Sequence, residues 1–410
     1  AILFVRKPGG KKRKKGPQHP DQPQLYRLSL DGGDPERLTD LRHGVADPKW
    51  LVDGRRVAFL SPVGKKGEAD GPKATESRFF RMWDRWLTDD VRHHLFLLDL
   101  KTRATMDATP SLEGWMHPMD PTGCYDVAPD GSEATLAACR TKPPHSPLQW
   151  GVFTVRLPAR IRKDARTFKP KLVTPRSFPD CAQPRYSPNG RWILHGVWRN
   201  LGDWSDRGRL AVYDRKREEH TVLTENWPLA PQEWAWSRKG DSVYCTADIE
   251  GRGALFALPF SNRSAKRSAG VPRELVRGGT FNAPRLTAER VFLLSSAIDA
   301  PPEVVSFDLE GGQRRKWTAF TAPLLGKVAL RPAEEVVFEG ADGDPVQMWV
   351  LYPPAPKKGK KRKPPLLHLI HGGPHGSFGD VWHWRWNSQV FCAKGYAVAM
   401  VNFHGSTGWG

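Results

Sequence analysis

Leu25-Tyr26-Arg27-Leu28-Ser29-Leu30-Asp31-Gly32-Gly33, then Arg37-Leu38-Thr39, then Pro48-Lys49-Trp50-Leu51-Val52-Asp53-Gly54-Arg55-Arg56-Val57-Ala58-Phe59, is the stretch that decides the fold. Apolar runs of strand length meet at Asp-Gly, a strong short-range hairpin signal because both residues accept positive φ. The same unit returns along the chain: an apolar strand, a turn, Leu-Thr or similar, then Pro-x-aromatic-x-x-x-Gly and a second strand. Looser copies run from Tyr125 to Gly131 before Ala134–Ala138, from Pro184 to Gly190 before Trp192-Ile193-Leu194, and from Trp234 to Gly240 before Ser242-Val243-Tyr244. A fifth, Pro284 to Glu289, precedes Val291-Phe292-Leu293-Leu294.

Gly131, Gly190 and Gly240 lie 59 and 50 residues apart, close to the period of about 40 to 50 residues of a four-stranded propeller blade. An all-β propeller is the expectation. The wider gap from Gly54 to Gly131 holds an insertion, including Arg78-Phe79-Phe80-Arg81-Met82-Trp83-Asp84-Arg85-Trp86. Long insertions in propellers fall in face loops, where binding concentrates.

Repetition fades after about Leu309, and a fresh hairpin follows at Glu334 to Phe338 and Asp342 to Pro354. Two apolar runs come next, Pro364 to Ile370 and Gly395 to Val401, each ending in a glycine-rich turn: His371-Gly372-Gly373-Pro374-His375-Gly376 and Asn402-Phe403-His404-Gly405-Ser406-Thr407-Gly408-Trp409-Gly410. A helix is expected between them at Trp386 to Lys394, and strand, helix, strand begins an α/β sheet. A buried strand running into His-Gly-Gly is how α/β-hydrolases place a backbone N–H where the oxyanion of acyl transfer forms. The boundary is expected near Ala322. Residues 1–322 would be a propeller truncated at its N-terminus, with six to eight blades in full, and residues 323–410 the truncated start of an α/β-hydrolase domain.

The chain of 410 residues exceeds the size at which one core keeps growing. Its formal charge of +19 suggests nucleic acid until it is located. The runs Lys7 to Lys15 and Lys357 to Lys363 hold 12 of those charges, leaving +7 for the rest. Both sit among Gly and Pro without interleaved aromatic residues, which suits solvated loop tips rather than a nucleic-acid site. The five cysteines form no C-x-x-C pair, so buried free thiols are expected and structural zinc is not. Neither a metal nor a cofactor is expected. No apolar stretch approaches the roughly 18 residues that span a bilayer. The opening Ala1-Ile2-Leu3-Phe4-Val5 has no Met and no signal-peptide pattern, so truncation at both ends is expected; compartment, cytoplasmic or periplasmic, and homo-oligomerisation stay open.

The blocks His371–Gly376, Arg385-Trp386-Asn387 with Gly395-Tyr396-Ala397-Val398, and Asn402–Gly410, in this order, resemble the prolyl oligopeptidase family of serine peptidases, in its acylaminoacyl-peptidase and dipeptidyl-peptidase 5-like branch. Arg81 to Trp86 followed by His94-Leu95-Phe96 resembles the same branch in a blade loop. The resemblance implies a propeller capping an α/β-hydrolase domain, and hydrolysis of short peptides near their N-terminus through an acyl-enzyme. It also implies a nucleophilic Ser in a G-x-S-x-G elbow, then Asp and His, all beyond residue 410, so that the chain alone would be inactive. Ser377 and Ser406 lie in His-Gly-Ser contexts that lack the first Gly of the elbow, so no catalytic residue is assigned. A propeller that binds peptides or proteins without catalysis is the alternative.

By the resemblance, Gly373 would supply one of two oxyanion N–H donors; the bland reading is a tight turn. His371 is expected to shape the substrate loop. In the insertion, Asp84 could take a substrate ammonium and Arg81 a carboxylate or acyl oxygen, with Trp83 and Trp86 as apolar walls. Packing of an inserted hairpin explains those four residues equally well.

Overall fold

The computed structural model describes residues 1–8, 19, 21–64, 81–82, 85–86, 91–141, 148–162, 166–203, 205–355, 363–373 and 375–409. Strands dominate. Among the described residues six sheets follow one another along the chain, each a meander, the second interrupted between its second and third strands by the hairpin Arg81–Met82 with Arg85–Trp86. The first has three strands, Ile2–Arg6, Gln24–Leu28 and Glu36–Arg37; the next five have four each. Ala46–Trp50, Tyr125–Val127, Asp180–Tyr186, Pro231–Trp236 and Thr280–Leu286 open the second to sixth sheets.

The repeated glycines close the turn between the first and second strands of four sheets. Gly54, Gly131, Gly190 and Gly240 all have φ between 63° and 70°. Their N–H groups donate to Leu51, Ala128, Ser187 and Ser237 O at 2.8–3.0 Å, a left-handed position that glycine fills without steric cost. The preceding Asx side chains complete three of these turns: Asp53 Oδ1 accepts from Arg55 and Arg56 N, Asp130 Oδ1 from Ser132 N, and Asn189 Oδ1 from Arg191 N. In the sixth sheet, which lacks the glycine, Thr287 Oγ1 accepts from Arg290 N instead.

The proline of the motif marks a second device. Opening strands of the second, fourth and sixth sheets slip register at Ala46/Lys49, Ala182/Arg185 and Asn282/Arg285. There Asp47, Gln183 and Ala283 take φ of 46–54° just before Pro48, Pro184 and Pro284. A bulge leaves one residue out of the ladder, so a proline without an N–H costs no ladder bond.

The chain divides into two compact units, residues 1–206 with 210–221, and residues 207–209 with 222–410. The first holds the first three sheets and nearly all of the fourth. Its core joins Leu60, Leu95, Leu97, Tyr125 and Leu136 of the second and third sheets, and the buried Tyr125 hydroxyl donates to Asp47 O at 2.6 Å. The second unit holds the fifth and sixth sheets and a C-terminal one, so the sequence boundary near Ala322 falls inside it. All five cysteines are buried and free. Among the described residues no helix is long and apolar enough to cross a membrane.

The C-terminal sheet runs Glu334–Glu339, Pro345–Leu351, Ala397–Asn402, Leu366–Leu369 in spatial order. Its last two strands are parallel, with Leu366 opposite Ala397 and Leu369 opposite Met400, so they need a crossover. That crossover carries the helix Ser388–Ala393, shorter than the expected Trp386 to Lys394 because Asn387 caps it, accepting from Gln389 N at 2.8 Å. Trp349, Leu351, Val398 and Met400 pack with Cys392 of the helix and with Ile298 of the sixth-sheet hairpin.

Candidate functional site

Parallel neighbours end on the same side of a sheet, so the loops leaving Leu369 and Asn402 emerge together at the strands' carboxyl ends, where open α/β sheets bind ligands. The two glycine-rich blocks are those loops. Thr407 N donates to His375 O at 3.1 Å, with the Thr407 hydroxyl on the same carbonyl. Asn402, 4% exposed, is fully used: its Oδ1 accepts from Phe378 N at 2.7 Å, and its Nδ2 donates to Gln347 Oε1 at 2.6 Å and Phe378 O at 3.0 Å. Trp349 Nε1 donates to the same Phe378 carbonyl at 3.0 Å. A buried amide this well satisfied fixes one arrangement.

Gly373 sits in the tight part of the first loop, closed by Gly376 N donating to Gly372 O at 3.2 Å. Its φ is 138°, and a Cβ there would stand 2.4 Å from Gly376 N and 2.5 Å from His375 N. Only glycine fits, because both obstacles are backbone. Gly373 is exposed, and among the described residues no acceptor meets its N–H. Gly372, next to it, has open space where a Cβ would go.

His371 is held by both loops. Its ring stacks on Phe403 at 4.2 Å and meets Phe378 edge-on. His371 Nε2 lies 3.0 Å from Ser406 Oγ, and Ser406 Oγ donates to Phe403 O at 2.6 Å. The serine places its proton on the Phe403 carbonyl rather than on the imidazole, whose Nδ1 also lies 3.1 Å from Gly372 O, so the pair is not arranged as an activated nucleophile. Ser406 is also buried. Ser377 has no imidazole within hydrogen-bond reach among the described residues. His404 Nε2 pairs instead with the exposed Asp344 at 3.4 Å. Burial raises the thiols of Cys124, to about 11, and of Cys245, to about 12, so neither is a ready nucleophile.

Of the inserted segment, Arg81 and Trp86 are opposite each other in a short hairpin, Arg81–Met82 with Arg85–Trp86. Trp83 and Asp84 lie outside the described residues, as do Lys11 to Lys15 and Lys357 to Arg362. A cavity of about 750 Å³ in the first unit is lined by Arg156, Lys169, Lys216 and two ion pairs, Lys171–Glu218 and Arg215–Glu133. Among the described residues no Ser, His or Cys lines it.

In the sequence Asn402, Gln347 and Trp349 stand in a turn block and a hairpin strand without a role of their own, and Asp380 stands in no motif. An Asn closing a buried strand is a weak signal for such a clamp; Asp380 has none.

No protein-family model matches the chain. It is 27% identical over 358 residues to dipeptidyl-peptidase 5 of Aspergillus fumigatus, covering 82% of this chain and 48% of that protein. It is 26% identical to dipeptidyl-peptidase 5 of Schizosaccharomyces pombe, over 81% of this chain and 48% of the relative. Among solved structures, acylaminoacyl peptidase of Pyrococcus horikoshii matches 95% of this chain and 55% of its own, with TM-score 0.68 and 16% identity. A puromycin-hydrolyzing peptidase of Mycobacterium tuberculosis matches 94% and 56%, with TM-score 0.62 and 18% identity. The fold is that of peptidases carrying a β-propeller. In sequence the chain is similar to these dipeptidyl-peptidase 5 proteins, and in fold to acylaminoacyl peptidase and the puromycin-hydrolyzing peptidase. It spans about half the length of the curated relatives it matches.

Proposed function

We propose that this chain is the propeller, residues 1–322, and the first part of the α/β-hydrolase domain, residues 323–410, of a serine peptidase that hydrolyses short peptides near their N-terminus through an acyl-enzyme. The observation that carries the reading is the exposed N–H of Gly373, without an acceptor among the described residues, in a His-Gly-Gly loop at the carboxyl end of a parallel strand. A backbone donor in an exposed, closely packed turn and without an acceptor among the described residues suits a developing oxyanion. Names of the relatives, dipeptidyl and acylaminoacyl peptidase, support a peptide substrate.

The C-terminal sheet supports the hydrolase half. The Leu366–Leu369 strand lies at its edge, paired on one side only, and Leu366 and Ile370 are 67% and 76% exposed. An apolar parallel strand in that position calls for further strands and a covering layer. In this reading the nucleophile, its base and the second oxyanion donor are supplied from outside residues 1–410, which have no turnover alone. Asp84 would take the substrate ammonium and Arg81 a carboxylate or acyl oxygen, flanked by Trp83, Trp86 and His371. Turnover of dipeptidyl and N-acyl-aminoacyl nitroanilides by the full-length gene product, blocked by a fluorophosphonate, tests the reading. Peptide binding without turnover would favour the non-catalytic module.

A further inference from the structure

The fifth sheet's second and third strands, Ser242–Ile249 and Arg252–Pro259, are joined by two residues, Glu250 and Gly251. Both have positive φ, 49° and 72°, the requirement of a type I′ hairpin turn. Such a turn leaves backbone groups of its central residues outside the ladder, and both glycine-rich loops take one. Glu250 N donates to Gly408 O at 3.0 Å, and Asp380 N donates to Gly251 O at 2.8 Å. Gly408 lies in the second block; Asp380 lies in the segment from His371 to the helix cap Asn387.

The fit around this turn is close. A Cβ on Gly251 would stand 3.2 Å from Trp349 Nε1, and one on Gly408 would stand 3.3 Å from Glu250 N and Asp248 O. Arg252, the next residue, forks onto Glu335 at 2.8 and 2.7 Å and stacks on Trp349. Glu335 Oε1 accepts from Gln347 Nε2 at 3.4 Å, and Gln347 holds Asn402. From the sixth sheet, Thr280 Oγ1 donates to Asp380 O at 3.0 Å, and Asp380 Oδ1 accepts from Ile298 N at 2.8 Å.

From this geometry we infer that the Glu250–Gly251 turn, with Asp380 as its partner, is a positioning element that fixes the Gly373 loop and the Gly408 loop relative to each other. The inference rests on the proposed peptidase reading for its catalytic consequence, and on the hydrogen bonds alone for its structural one. It assigns a blade hairpin of the propeller to the alignment of the active-site loops. Asp380 touches no substrate; it acts through the loop.

The test uses the full-length protein with one Gly inserted between Glu250 and Gly251, and with Asp380→Ala and Asp380→Asn. In the insertion variant and Asp380→Ala, kcat should fall about 10-fold or more with KM within about 2-fold, because misplacement of about 1 Å is felt in the transition state. Affinity for a peptide aldehyde, which forms a tetrahedral adduct, should fall in parallel. Asp380→Asn, which keeps an acceptor for Ile298 N, should restore both. Hydrogen exchange should rise in both loops, 371–380 and 403–409, and stay unchanged in the strands Pro345–Leu351 and Ala397–Asn402. Unchanged exchange in the two loops of the insertion variant overturns the inference, whether or not the wild type turns over substrate. Loop exchange that rises while kcat holds overturns its catalytic half. Wild-type protein without turnover refutes the peptidase reading instead, and the exchange data still decide the structural claim.

Discussion

Two adjacent glycines should respond oppositely to the same methyl group. Gly373→Ala places a Cβ 2.4 Å from Gly376 N at a φ of 138°, a region essentially reserved for glycine. Bringing that contact to an ordinary 3.4 Å needs about 1 Å of backbone movement, and the dihedral adds strain of order 1–3 kcal/mol. Neither can be relieved by a rotamer change, because both obstacles are main chain. Gly372→Ala meets nothing within 4 Å. In the full-length protein, Gly373→Ala should lower kcat by about 100-fold or more, the typical cost of losing one oxyanion donor or shifting it by about 1 Å. Gly372→Ala should stay within about 3-fold. Thermal unfolding of the 410-residue chain reads the strain without any substrate, with a lower Tm for Gly373→Ala alone. Equal behaviour of the two variants in both assays would refute the close-packed loop and the role drawn from it.

Asn402→Ala leaves Phe378 N and Gln347 Oε1 without their buried partner. It should cost about 1–3 kcal/mol, read as a lower denaturation midpoint; an unchanged midpoint contradicts the clamp. Acid stability should be set in part by the buried His195 and the half-buried His220 beside it in the fourth sheet, with ring centroids 5.7 Å apart. Burial lowers His195 to about 3 and lowers His220 too. Unfolding exposes imidazoles that bind protons below pH ~6.5, so stability falls as pH drops, by about 2 kcal/mol for His195 between pH 7 and 5. Asp180, raised to about 6 by burial, opposes this, since the folded state holds its proton as pH falls from about 6 toward 3.8. Urea midpoints at pH 7 and pH 5 should therefore converge for His195→Phe relative to the wild type, and an identical pH dependence would show that His195 does not titrate as described.

The repeat was legible because its turn chemistry is local. Gly54, Gly131, Gly190 and Gly240 announce positive φ within a few residues, whatever lies elsewhere in the fold. The prolines at 48, 184 and 284 were visible, but not the bulges before them, because a register slip depends on the neighbouring strand. Glu250-Gly251 escaped notice for two reasons. Glu-Gly is a weaker turn signal than Asn-Gly or Asp-Gly, and its partners, Asp380 and Gly408, lie more than 120 residues away. Loop contacts of that span have no period or motif to betray them. The helix starts later than expected for a reason the sequence did contain, Asn387 as its N-cap. The shape of the His-Gly-Gly loop was expected from the motif; what holds it, Asn402, Gln347 and Trp349, was not.

The most direct measurement is fluorophosphonate labelling and nitroanilide turnover, run in parallel on the full-length gene product and on residues 1–410. The account predicts labelled, inhibitor-sensitive peptidase activity in the full-length protein and neither signal in the 410-residue chain. Absence of both from the full-length protein, or inhibitor-sensitive turnover by residues 1–410 alone, would contradict it.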